Sequence, residues 1–251
     1  MNRPWTRGWL LGCVLALTLG CSDSSPAPAK KADGKPVDPT TAGRIVARVV
    51  YQGEVPAPKA IVMSSAPQCA LSHEQPVYEQ SLLVEGGRVR NAIVWVDKGL
   101  EGFAFSAPAA PAVIDQKGCI YEPHVAVAMV GQPVEFRNSD AEAHNVHGFP
   151  SILSAWNFIL SRKGATRTVT FDRPEIAVRI GCDIHPWMRG YLGVSDSPYA
   201  AVTPADGAVT LDGVPPGDLT VAAWHETLGK QTKQVTLPPN GSVEVEFSFT
   251  K

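Results

Sequence analysis

The residues with the most specific chemistry lie in the C-terminal half of the chain. Cys182, His185 and Met188 fall within one short stretch, and His144 precedes Cys182 by 38 residues. A thiolate, two imidazoles and a weak axial thioether form the trigonal donor set of blue-copper electron-transfer sites. Soft sulfur ligands select copper, and imidazole tolerates both of its oxidation states. The conjunction of these four side chains therefore predicts a site for one copper ion.

Two other metal sites are less compatible with this set. Zinc also takes Cys and His, but a Met thioether is not a usual zinc ligand. A binuclear copper site would need a second cysteine in the loop, where Gly181, Asp183 and Ile184 stand. A mononuclear, type 1 copper site remains the better prediction.

The elements that must position these residues are short strands. The chain has 251 residues with 22 Gly and 22 Pro, and its many brief apolar runs are separated by turn residues. No stretch keeps a helical apolar period over three turns, so the pattern predicts an all-β sandwich or barrel. The strand predicted at Ile176–Ile180 leads into Cys182, and His144 must come from a distant strand end.

The net charge of −2 does not indicate the positively charged surface that proteins use to bind nucleic acids.

The N-terminus has the pattern of an export signal over residues 1–21. Arg3 and Arg7 precede a short apolar run that ends in Thr18-Leu19-Gly20-Cys21, which resembles a bacterial lipobox. We expect an exported, periplasmic protein that is tethered to the membrane by a lipid on Cys21. The alternatives are a plain cleaved signal or a signal anchor. Residues 22–42 are poor in large apolar residues and predict a disordered tether.

Three of the five cysteines lie in the predicted folded part. An oxidising compartment favours a disulfide between Cys69 and Cys119, which leaves Cys182 free for the metal. The alternative is a Cys₂His₂ metal site that these two cysteines would form with His73 and His124.

The segments around the four donors resemble the cupredoxins, most closely the amicyanin type. The likeness lies in Asn138-Ser-Asp-Ala-Glu-Ala-His144-Asn145-Val146-His147 and in Cys182-Asp-Ile-His185-Pro-Trp-Met188-Arg-Gly, within a domain at about residues 91–196. It implies a Greek-key sandwich that binds one type 1 copper ion.

The resemblance also implies a role for each residue. His144, Cys182 and His185 would be equatorial ligands, and Met188 the axial ligand. Asn145 would join the two ligand loops by hydrogen bonds, and His147 would not be a ligand. Pro186 and Trp187 would form an apolar collar around the edge of His185, where electrons would leave.

A second resemblance covers the C-terminal residues 197–251. The stretch from Ala205 to Trp224 is similar to the carboxypeptidase-regulatory or transthyretin-like β-sandwich. Residues 43–90 could complete that smaller sandwich, with the cupredoxin inserted between the two parts. Ala92–Val96 fits either domain. The pair His225-Glu226 could be a general base or a metal donor, or a simple surface turn over a packed Trp224.

These features predict a function without catalysis. We find no catalytic triad, phosphate loop or acid pair in the sequence. We therefore expect a blue-copper protein that carries single electrons between redox proteins of the cell envelope. The alternatives are a copper carrier or chaperone, and a structural β-domain protein whose metal site is vestigial.

Overall fold

The computed structural model describes residue 1 and residues 34–250. The predicted export signal, Cys21 and most of the predicted tether lie outside the described residues. Within the part of the chain that is described, no helix is long and apolar enough to cross a membrane.

The all-β prediction is confirmed. The described chain contains eighteen strands and one helix, α1, at Pro67–Leu71. The strands are β1 Gly43–Gln52, β2 Val84–Glu85, β3 Arg88–Val89, β4 Ile93–Lys98, β5 Ala112–Gln116, β6 Tyr121–Glu122, β7 Val125–Met129, β8 Pro133–Asn138 and β9 His144–Phe149. They continue as β10 Trp156–Leu160, β11 Thr166–Thr170, β12 Glu175–Gly181, β13 Arg189–Ser195, β14 Ala200–Val202, β15 Ala208–Val214, β16 Gly217–His225, β17 Gly229–Leu237 and β18 Ser242–Thr250.

The central strands form a two-sheet sandwich. One sheet has the order β10-β9-β12-β13-β7 and the other has the order β11-β8-β5-β6. Their facing side chains make a core that includes Phe136, Val146, Ile180 and Leu192, all at most 1% exposed. Cys182 and Met188 belong to the same core, so the sandwich positions the predicted ligands directly.

Strands from both ends of the chain form a second sandwich. β1 pairs in parallel with β18 and antiparallel with β15, while β4 pairs with β14 and β16. The alternation of β1 buries Ile45, Ala47 and Val49 in one core with Phe247 of β18 and Val221 of β16. Strand pairing thus puts β4 with the C-terminal strands, which is one of the two placements that Ala92–Val96 allows.

The two sandwiches meet along β4. Four successive β4 residues are buried, because alternate side chains face different cores. Val94 and Val96 point into the second sandwich, whereas Ile93 and Trp95 pack with Val125 at the junction. Strand β13 packs closely against β4. A Cβ atom added to Gly193 of β13 would lie only 3.0 Å from Cδ1 of Ile93.

We expect residues 197–251 to be unable to fold alone, because β1 and β4 are missing from that fragment. The isolated fragment should give a narrow amide NMR spectrum, and mixing it with a fragment of residues 43–100 should disperse the peaks. A dispersed spectrum from residues 197–251 alone would show that this unit needs no N-terminal strands.

His225 lies inside the structure and not on a surface turn. Its side chain is at the end of β16 with 0% exposure, and its Nδ1 accepts a hydrogen bond from the Thr227 backbone N–H at 3.2 Å. Burial is the main cause that lowers the pKa of His225, the charge of Glu226 opposes the shift and that of His124 adds to it; together they lower the pKa from 6.5 to about 4. The ring is therefore neutral in the folded protein at pH 7.

This buried ring predicts a pH-dependent stability. Between pH 6.5 and about 4, His225 is protonated in the unfolded chain but neutral in the folded chain. Acidification through this range therefore favours the unfolded state and destabilises the fold. His225→Asn keeps an acceptor for Thr227 but cannot titrate. The loss of unfolding free energy from pH 7 to 4.5 should be smaller in this variant by about 2 kcal/mol, measured by denaturant titration. Equal losses in the two proteins would contradict this assignment.

Candidate metal centre

The pairing of three strands brings the predicted ligands together. His144 opens β9, Cys182 directly follows β12, and the loop 182–188 joins β12 to β13. Gly181 of β12 lies opposite His147 of β9 and Arg189 of β13. The ligand loop therefore begins beside the first residues of β9, close to His144.

The loop is closed by its own backbone. The Met188 N–H donates to the His185 carbonyl at 2.9 Å, and the Cys182 N–H donates to the Met188 carbonyl at 3.3 Å. These bonds hold the three loop residues on one tight turn. Met188 is 2% exposed, within the same core as Cys182.

The donor atoms of the other three residues converge. His144 Nδ1 lies 3.0 Å from His185 Nδ1, and Cys182 Sγ lies 3.9 Å from His185 Nδ1. All three donor atoms lie within 4.8 Å of one another, and their residues are buried. Two ligand atoms that are each about 2.0–2.3 Å from a shared metal ion lie about 3–4 Å apart. The spacing therefore fits one small ion held between these residues.

Charge at the site favours a thiolate. Burial alone would raise the pKa of Cys182, but hydrogen bonds from His144 and from backbone N–H groups outweigh it and lower the pKa. Burial would likewise lower the pKa of His144, but Asp140 and the Cys182 sulfur raise it to about 9. For His185, burial and the charge of His144 both lower the pKa, so this ring stays neutral. A bound metal cation would replace the proton on Nδ1 of His144, next to the Cys182 thiolate.

Asp140 orients His144 from behind. Its carboxylate accepts a hydrogen bond from His144 Nε2 at 2.9 Å and others from the backbone N–H groups of Gly118 and Cys119. Because Nε2 carries the proton, Nδ1 keeps its lone pair for a metal, as in carboxylate–histidine–metal arrangements. Asp140 is not among the predicted site residues, because an Asp in a loop four residues before a His is not a distinctive signal.

Asn145 joins the two ligand loops. Its side-chain carbonyl accepts the Asp183 N–H at 2.6 Å, and its amide donates to the Asp183 carboxylate at 2.8 Å. Asp183 also pairs with His147, whose Nδ1 lies 3.0 Å from the carboxylate. His147 therefore faces Asp183 and not the cluster of donor atoms.

Cys69 and Cys119 form a disulfide. His73 Nε2 instead bonds to the Gly118 carbonyl, and His124 pairs with Glu226. The alternative Cys₂His₂ site is therefore not formed in the described structure.

The disulfide covers the far edge of His185. Cys69 Sγ lies 3.6 Å from His185 Nε2, and Trp187 packs on the same ring at a centroid distance of 5.2 Å. His185 is consequently only 5% exposed. The resemblance to cupredoxins implies a collar of Pro186 and Trp187 around the edge of His185, where electrons would leave. The structure places α1, which carries Cys69, over that edge.

The comparisons with known proteins found partial structural likenesses. No family model and no curated protein matches the chain. A Cu-containing nitrite reductase from Thermus scotoductus SA-01 is 24% identical, with a TM-score of 0.30 over 39% of this chain and 24% of that chain. A reduced amicyanin mutant is 29% identical, with a TM-score of 0.31 over 36% of this chain and 86% of that one. A purple cupredoxin from Nitrosopumilus maritimus is 23% identical, with a TM-score of 0.29 over 34% of this chain and 99% of that one. The likenesses cover only about two fifths of this chain or less, and this chain spans about a quarter of the reductase.

Proposed function

We propose that this protein is a blue-copper protein of the cell envelope that carries single electrons between redox partners. The observation that carries the proposal is the convergence of the donor atoms of His144, Cys182 and His185 within 4.8 Å. With Met188 as the axial ligand they would hold one type 1 copper ion. Copper bound there would supply a reversible one-electron couple.

The protein's own contribution is a site that is fixed before the metal binds. The Asn145–Asp183 hydrogen bonds hold the two ligand loops together, and Asp140 fixes the His144 ring. Buried ligands with fixed partners have little freedom to rearrange when the metal changes charge. Such rigidity suits electron transfer, because little reorganisation accompanies each step.

Burial of the ligands supports an electron carrier over a copper carrier. His144 is 0% exposed, Cys182 is 4% exposed, and the disulfide lies against His185. A protein that hands its ion to a partner needs ligands that the partner can reach. The enclosed site therefore favours retention of the metal. A lowered pKa of Cys182 favours a working ligand over a vestigial cysteine.

The location in the envelope is part of the same proposal. The signal-like residues 1–21, with Cys21 as the lipid attachment point, support export and a membrane tether. The Cys69–Cys119 disulfide supports an oxidising compartment. The partners would be redox proteins at the same membrane.

Cys182→Ser should abolish the intense blue band of the copper-loaded protein, because that band arises from thiolate-to-copper charge transfer. The measurement is the visible spectrum after copper loading, with near-UV circular dichroism as the check on folding. His147→Gln is the matched control, since His147 lies on the same strand as His144 but faces Asp183. It should keep the band. A blue band in the serine variant would refute the thiolate assignment.

Substitution of Met188 should shift the reduction potential while the colour persists, because the axial ligand tunes blue-copper potentials. Met188→Leu removes a donor to the oxidised ion and should raise the potential, whereas Met188→Gln offers a harder oxygen and should lower it. Cyclic voltammetry measures both. Met129→Leu changes another buried methionine, which lies on β7 of the same sandwich, and should leave the potential unchanged. Equal potentials in the Met188 variants would remove this residue from the ligand set.

A further inference from the structure

A cavity of about 320 Å³ lies beside the metal centre. Three parts of the chain line it: the segments 59–62 and 78–81, the cupredoxin-like sandwich, and Glu226 from the second sandwich. Its volume is at the lower end of the range for small-molecule sites, about 300–1,000 Å³. It is therefore large enough for a compact ligand such as a single substituted ring.

One part of the wall is apolar and adjoins the metal centre. Ile61, Ile120, Pro186 and Trp187 line the cavity. The Trp187 ring packs on His185, and its Nε1 donates to the Cys119 carbonyl at 3.0 Å. Trp187 thus separates the cavity from a proposed copper ligand by the thickness of one aromatic side chain. A flat ring in the cavity could stack on this surface.

The polar part of the wall contains a buried His–Glu pair. His124 Nε2 and Glu226 Oε1 are in hydrogen-bond contact, and their side chains are 7% and 5% exposed. Because a carboxylate only accepts hydrogen bonds, Nε2 donates and Nδ1 is left as the nitrogen that can accept a proton. Glu226 would then stabilise the imidazolium, as a carboxylate does for a catalytic histidine. Neither residue belongs to the donor set of the metal.

We propose that this cavity binds a phenolic or hydroquinone-type reductant, with its ring against Trp187 and its hydroxyl toward His124. The inference rests on the proposed electron-transfer function. Removal of an electron from a phenol makes its O–H strongly acidic, so a proton acceptor beside the ring promotes the oxidation. The cavity is lined both by His124, which can accept the proton, and by Trp187, which packs on the proposed copper ligand His185.

For hydroquinone as the reductant, one O–H bond would break and His124 would accept the proton. The copper ion that His144, Cys182 and His185 would hold would supply the oxidant, because its oxidised form takes up one electron. A second oxidised copy of the protein would take the remaining electron, and the second proton would pass to water, which yields the quinone.

Binding is tested first, on the copper-free full chain with phenol as the probe. Phenol should cause saturable NMR shifts at the Trp187 indole N–H and at the Ile61 methyls. Val62→Trp should abolish them, because Val62 lines the cavity and its 74% exposure lets a large side chain fit without disturbing the core. Ile152→Trp is the matched control, an aliphatic residue that is 60% exposed and does not line the cavity. Linear, unsaturable shifts, or equal shifts in the Val62 variant, would overturn the binding site.

Electron transfer is tested on copper-loaded protein by stopped flow with two reductants. Hydroquinone should show saturation kinetics and a slower rate in D₂O, whereas ferrocyanide, which needs no cavity, should show neither. His124→Gln keeps a partner for Glu226 but cannot take the proton, so its saturating hydroquinone rate should fall by about 100-fold, and its ferrocyanide rate should not change. An unchanged hydroquinone rate in this variant would exclude His124 as the proton acceptor.

The two reductants also separate this inference from the proposed function. If ferrocyanide does not reduce the protein, the electron-transfer proposal fails, and the phenol titration still decides whether the cavity binds phenols. Ferrocyanide could reduce every variant while the hydroquinone rate rises linearly with hydroquinone concentration and is the same in the Val62→Trp variant. In that case the electron-transfer proposal is supported and the cavity proposal fails.

Discussion

The site depends on one constraint, which is the register between β9 and the β12–β13 hairpin. Gly181 lies opposite His147 on one side and Arg189 on the other, so the ligand loop starts beside the end of β9 that holds His144. A slip of one residue would turn His144 to the opposite face of the sheet and out of the core. The buried side chains of Val146 and Ile180 fix that register through the hydrophobic core. Packing of the sandwich and assembly of the site are therefore the same event.

A second constraint comes from the segment that covers the site. α1 brings Cys69 against His185, and the disulfide to Cys119 ties that helix to the loop before β6. Cys119 in turn donates its backbone N–H to Asp140, which holds His144. The cover is thus connected to both histidines of the site. Exclusion of water by itself disfavours a thiolate, but it also strengthens the hydrogen bonds from His144 and the backbone that lower the pKa of Cys182.

The local sequence was sufficient for some elements and for the donor set. Alternation along Gly43–Tyr51 predicts β1, and the short loop from Cys182 to Met188 contains three of the four donors without any long-range information. Other features are set by tertiary contacts. α1 has only five residues, too few for a periodic pattern. β4 has no alternation to show which sheet it joins, because both of its faces are buried.

The junction between the sandwiches positions Glu226 of the second sandwich in the wall of the cavity. Ile93, Trp95 and Ala222 pack with Val125 at the start of β7. His124 directly precedes Val125, and Glu226 follows the end of β16, which pairs with β4. The apolar junction therefore fixes the distance between an acid and a base that belong to different sandwiches. Since buried polar groups are tolerated only when they are hydrogen-bonded, loss of this packing would separate His124 from Glu226 and leave both without a partner. The second sandwich is then a wall of the cavity beside the metal centre.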